Sequence, residues 1–160
     1  MGVVIAWTAI GLAADKVNYS GKYSADRPTV KSGVETDSTL EVVQNEDGIA
    51  VTRVELGKRT TSHCPLNRSE GEYTSPAGVS GKCKAQLKAK YLILDSVVVT
   101  RPQPTATVRM HTKERWQLSA DGKSLTIKFD VDFPDFPSDM SAAVAGDTSG
   151  TRKYTRTGNP

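Results

Sequence analysis

Within residues 107–133, two runs of alternating apolar and polar side chains stand out. Trp116 and Leu118 share one parity on a first run. Leu125, Ile127, Phe129, Val131 and Phe133 share one on a second, against Thr126, Lys128, Asp130 and Asp132. A period of two marks strands with one face in a core and the other in water. The runs meet at Ala120, Asp121, Gly122 and Lys123, where the Asp-Gly pair suits a tight hairpin.

The same alternation, broken by turn residues, predicts most of the remaining chain. Residues 17–23 read as a short strand, and 25–38, with Pro28 and Gly33, as a connecting loop. Residues 39–44 and 49–55 flank a hairpin signal ending in Gly48, and 59–64 form a third consecutive strand. Residues 65–81 are rich in Gly, Pro and Ser and read as a long loop, with a brief edge pairing near 71–75. Strands follow at 82–88, 91–99 and 107–118. Ser138 can cap a helical turn through residues 140–144, and residues 151–156 form the last strand. This makes an all-β, antiparallel up-and-down meander of about eight to nine strands with no βαβ spacing. Such a sheet leaves two edges to hide, and barrel closure, complete or partial, is the usual solution.

Composition narrows the class of object. The hydrophobic content of 37% is low for a helical bundle and suits half-solvated sheet. A net charge of +3 and few aromatic residues give no reason to expect nucleic acid as a partner. Val3 to Ala14 is an apolar run too short to span a bilayer, and it ends in small residues like a signal-peptide cleavage site, although no basic segment precedes it. We therefore expect a leader over residues 1–14, a single β-barrel domain over 15–160, and no integral membrane span in the mature chain. Cys64 and Cys83 enclose a Gly-, Ser- and Pro-rich loop, and in an oxidising compartment they should form a disulfide.

Ser20-Gly21-Lys22-Tyr23, the run of hairpins and the closing Thr151–Arg156 strand together resemble the calycin superfamily, which includes lipocalins and fatty-acid-binding proteins. Residues 114–127 are similar to uncharacterised exported lipocalin-like proteins of soil bacteria. The resemblance implies a lipocalin-like barrel and export, periplasmic or extracellular, in a bacterium. The lipocalin G-x-W signature is absent, with Tyr23 where its Trp would stand.

The candidate chemistry is sparse. Arg152-Lys153-Tyr154 matches the R-x-Y spacing with which fatty-acid-binding proteins hold a carboxylate; the alternative is that Tyr154 packs while Arg152 and Arg156 reach water. Glu114 lies in phase with Trp116 on the apolar face, so it needs an inward partner such as Arg152 or Arg53. Lys82, Lys84, Lys88 and Lys90 read as a solvated outer row. His63 and His111 sit in no nucleophile or metal-binding motif, and Asp130 and Asp132 face outwards, so we expect no catalytic residue, no metal and no cofactor. The leading expectation is a non-enzymatic exported protein binding a small apolar, lipid-like or carboxylate ligand through Glu114, Trp116, Leu118, Ile127, Phe129, Arg152 and Tyr154. The alternative is a filled barrel acting as a structural or interaction module of the cell envelope. A continuous apolar cavity favours the first and a packed interior the second. The oligomeric state is not legible.

Overall fold

A computed structural model describes residues 17–26, 29–31, 34–36, 38–55, 57–66, 69–74, 80–103, 106–135 and 149–159. The expected leader and the expected helical turn after Ser138 lie outside these residues. The strands are β1 (Gly21–Ala25), β2 (Thr29–Lys31), β3 (Val34–Thr36), β4 (Thr39–Gln44), β5 (Gly48–Glu55), β6 (Lys58–Pro65), β7 (Gly71–Thr74), β8 (Ser80–Leu87), β9 (Leu92–Gln103), β10 (Ala106–Leu118), β11 (Ser124–Asp132) and β12 (Ser149–Gly158).

All strands but β2 and β3 form one closed antiparallel ring in the order β1-β12-β11-β10-β9-β8-β7-β6-β5-β4. The meander and its closure into a lipocalin-like barrel follow the sequence pattern. β1 closes the ring by pairing with β4 on one side and β12 on the other. Some details differ from expectation. Residues 17–20 are not part of a strand, and the 25–38 connection contains the small β2–β3 hairpin. The brief pairing expected near residue 71 is a full ring member, although β7 joins β6 only through Thr61↔Thr74 and Ser62↔Tyr73. Gly71 is required there, because a Cβ would overlap the His63 carbonyl oxygen and the Pro65 ring. Among the described residues there is no helix, and so none long and apolar enough to cross a membrane.

The β10–β11 hairpin turns at Gly122, whose φ of 68° is the left-handed conformation glycine tolerates at little cost. Its register pairs Trp116 with Ile127, Leu118 with Leu125 and Glu114 with Phe129. The Cys64–Cys83 disulfide is formed, with Cα atoms 5.0 Å apart, and joins β6 to β8 beside the short β7.

The core occupies one half of the lumen, which we call the closed end. Tyr19, Tyr23, Leu40, Val42, Val51, Ala85, Leu92, Leu125 and Tyr154 are buried there with Trp116 at 0% exposure. Tyr19 lies in the segment before β1, and its hydroxyl donates across the interior to the Trp116 carbonyl at 3.1 Å. Its own backbone is held by Gln44 Oε1 (3.0 Å) and by the Tyr23 hydroxyl (2.7 Å), so the segment is tied to both sides of the ring.

Candidate functional site at the barrel mouth

Above the closed end the inward positions of β5 and β10 become polar. Alternation along β5 continues from the buried Ile49 and Val51 to Arg53 and Glu55, and along β10 from Trp116 to Glu114 and Thr112. β5 and β10 are opposite members of the ring. The strands β4, β1, β12 and β11 separate them one way, and β6, β7, β8 and β9 the other. Arg53 Nη2 nevertheless lies 2.5 Å from Glu114 Oε2, so this ion pair crosses the full width of the lumen. Trp116 Nε1 donates to the same oxygen at 2.9 Å, and the Arg53 guanidinium stands 5.7 Å from the Trp116 ring centroid. The partner demanded by a carboxylate on the apolar parity is thus Arg53.

A buried pair of this kind is costly to desolvate and equally costly to break. Removing one partner typically destabilises by about 3–5 kcal/mol because the other charge is stranded. Glu114 is 8% exposed and the Arg53 side chain 22%, so the penalty falls on the Glu114 carboxylate when Arg53 is removed.

Nearer the mouth a second pair behaves differently. Arg152 on β12 donates to Glu55 on β5 at 2.9 Å, across the intervening β1 and β4, and stacks 4.7 Å from the Phe129 ring centroid. Both of its charged side chains are 42% exposed. A pair this wet contributes on the order of 0–1 kcal/mol. Arg152 is therefore held by Glu55 and Phe129, while Tyr154, on the same parity, is buried in the core. Phe129 and Leu118 are half-buried, whereas Ile127 and Trp116 lie fully inside the packed region.

A cavity of about 580 Å³ opens where β1 ends and β12 begins, lined by Ala25, Asp26, Ser38 and the Thr151–Tyr154 stretch. It includes two expected site residues, Arg152 and Tyr154. Ser38 had no sequence signal. It is 3% exposed, and its Oγ has no hydrogen-bond partner among the described residues. Arg156, expected to reach water, instead donates to the Tyr23 hydroxyl at 2.7 Å and lies 5.3 Å from that ring's centroid.

A further titratable cluster is on the outside of the barrel. His111 Nε2 lies 2.7 Å from Asp95 and Nδ1 3.3 Å from Asp132, with Lys84 3.7 Å from Asp95. The hydrogen bond with Asp95 raises the His111 pKa; partial burial opposes this, and Asp132 adds to it. His111, Asp95 and Lys84 border an outer groove of about 610 Å³ with Lys82, Val97 and Val99. Neither this cluster nor His63, which is exposed, makes a metal site, and no group of metal-binding side chains occurs among the described residues.

The fold and its lumen define a lipocalin-like β-barrel. No family model matches the chain, and no curated protein resembles it significantly in sequence. Among solved structures it is similar to a secretary abundant heat soluble (SAHS) protein from Ramazzottius varieornatus, from a dimer sample, with a TM-score of 0.53 and 16% identity over 87% of this chain and 95% of that one. That likeness is one of fold.

Proposed function

We propose that this protein is a non-catalytic, exported binding protein whose ligand, a small amphipathic molecule with an anionic head, sits at the mouth of the barrel. The observation that carries this reading is the 580 Å³ cavity bordered by Arg152 and Tyr154 and by the buried, unpartnered hydroxyl of Ser38. A buried hydroxyl without a partner is unfavourable by roughly 1–3 kcal/mol, which a polar ligand group recovers. Arg152 supplies the charge for an anionic head, and exchanging Glu55 for a ligand carboxylate costs little at an exposed pair. Phe129, beneath the guanidinium, offers the apolar contact for the tail. The disulfide fits an oxidising compartment. The likeness to a barrel described as secretary supports export, with residues 1–14 as the leader and 15–160 as the barrel domain.

The test is calorimetric titration with decanoate and with decanol. Decanoate should bind one per barrel and decanol about tenfold more weakly, the difference expected when an ion pair contributes about 1.4 kcal/mol. Arg152→Ala should remove the preference. A second reading, a filled barrel serving as a structural or interaction module of the envelope, is favoured by the packed closed end. Absence of binding by either compound selects it.

A further inference from the structure

We propose that the outer wall from β8 to β12 carries a docking belt for a linear acidic polysaccharide. The lysine row read from the sequence is split in two by the structure. Lys82 and Lys84 are paired, with Glu70 at 3.1 Å and Asp95 at 3.7 Å. Lys88 and Lys90 are exposed and make no ion pair among the described residues, and the same holds for Arg115, Lys128 and Lys153. Strand register brings these five onto one face. Arg115 lies directly opposite Lys128, and one step towards the closed end Thr126 lies opposite Lys153. At the β8–β9 turn Lys88 donates its backbone N–H to Tyr91, and the Arg115 guanidinium lies 3.9 Å from the Tyr91 ring centroid. Every position in these two outward rows, from Gln86 across to Thr151 and from Lys88 across to Lys153, is neutral or basic.

Like charges facing each other across a ladder are unfavourable, so Arg115 opposite Lys128 is an arrangement that an anionic partner relieves. The shape of the belt selects that partner. It extends about 20 Å across the strands and about 7 Å along them. Asp95 and Asp130 stand in the row above, on either side of Lys113, and Asp121 lies in the turn below. A flat anionic surface pressed against the wall meets these carboxylates too, whereas a single chain lying along the belt does not. The exposed large apolar side chains among the described residues, Val43 and Val97, are outside the belt and give it no anchor in lipid. Tyr91, its aromatic ring, is covered by Arg115 and is not free to stack on bases. The chemistry that fits is a sugar chain bearing carboxylate or sulfate groups, met by Arg115 through paired N–H donors and by the lysines as point charges.

Calorimetric titration with hexagalacturonate at low salt tests this. Binding should weaken as salt rises, because each charge contact releases counterions. Lys88→Gln with Lys128→Gln should weaken binding about tenfold and lower its salt slope by roughly one per lysine. Lys153 is left in place because it also borders the mouth cavity. Lys82→Gln with Lys84→Gln removes lysines that are already paired and should change binding less than about twofold. Equal losses in the two double variants overturn the belt, because positive charge in general would then account for the binding. Tighter binding of oligothymidylate or of phosphatidylglycerol vesicles, at equal anion concentration, overturns the polysaccharide as partner. Failure of hexagalacturonate to bind at low salt overturns the proposal outright. Decanoate binding at the mouth is a separate readout and stands or falls independently of these outcomes.

Discussion

The two ends of this barrel are built from the same strands by the same alternation, yet they are held in opposite ways. At the closed end, inward positions are filled by Trp116, Tyr19, Tyr154, Leu92 and Leu125, and the one free-standing segment is tied in by the Tyr19 and Tyr23 hydroxyls. At the mouth, inward positions carry Arg53, Glu55, Glu114 and Arg152, and cohesion comes from charge pairs. Burial decides what those pairs do. The same guanidinium–carboxylate chemistry is a rigid strut where water is excluded and an exchangeable contact where it is not.

The largest effect that sharpens this contrast should come from Arg53→Ala. It strands the buried Glu114 carboxylate, and urea unfolding should show a loss of about 3–5 kcal/mol. Glu55→Ala at the mouth should cost less than about 1 kcal/mol. Equal losses would erase the distinction between the two pairs. Next in size is the disulfide. Replacing Cys64 and Cys83 together by Ala should lower stability by roughly 3 kcal/mol, since it frees a loop with a sequence separation of 19 and unpins β6 from β8 where β7 contributes few ladder bonds.

A smaller effect, confined to the closed end, concerns alkaline pH. Burial pushes the Tyr19 hydroxyl up to about 12; a Leu92 backbone hydrogen bond offsets part of this, and Tyr23 adds to the rise. A raised phenol pKa means the neutral form is favoured in the fold. The associated stability is therefore fully present below pH 10, the ordinary tyrosine value, and is lost as pH rises through about 12. Tyr19→Phe should flatten that alkaline loss in a series of melts. The smallest effect belongs to His111 on the outer surface. Its folded pKa lies above the ordinary 6.5, so its contribution is complete below pH 6.5 and fades as pH rises through the raised value. Asp95→Asn should remove most of that dependence while leaving ligand binding at the mouth unchanged.

The sequence made the walls legible and the crossings only partly so. Alternation in β10 and β11 gave their faces and their register, because a one-residue slip would expose the whole apolar set. Glu114 stood out because a carboxylate in phase with Trp116 requires a partner, and Arg53 was one of two residues able to supply it. The Arg152–Glu55 contact could not be read in the same way, since it depends on the stagger across β12, β1, β4 and β5, a property of ring closure rather than of any one strand. Ser38 carries no pattern at all. Its isolation follows from where β4 begins beside the end of β1. Tyr19 and Arg156 belong to the same group, because each acts through a partner more than twenty residues away rather than through local spacing.

The central claim is that ligand binds at the mouth beside Arg152 while the core around Trp116 stays packed. The Trp116 indole N–H lies in that core, 2.9 Å from Glu114. Proton–nitrogen correlation spectra recorded during a decanoate titration report on both regions at once. The account predicts shifts at Phe129, Arg152 and Ser38, with the Trp116 indole resonance unmoved. Movement of the Trp116 indole comparable to that of Arg152 would contradict it, because the ligand would then have reached the closed end.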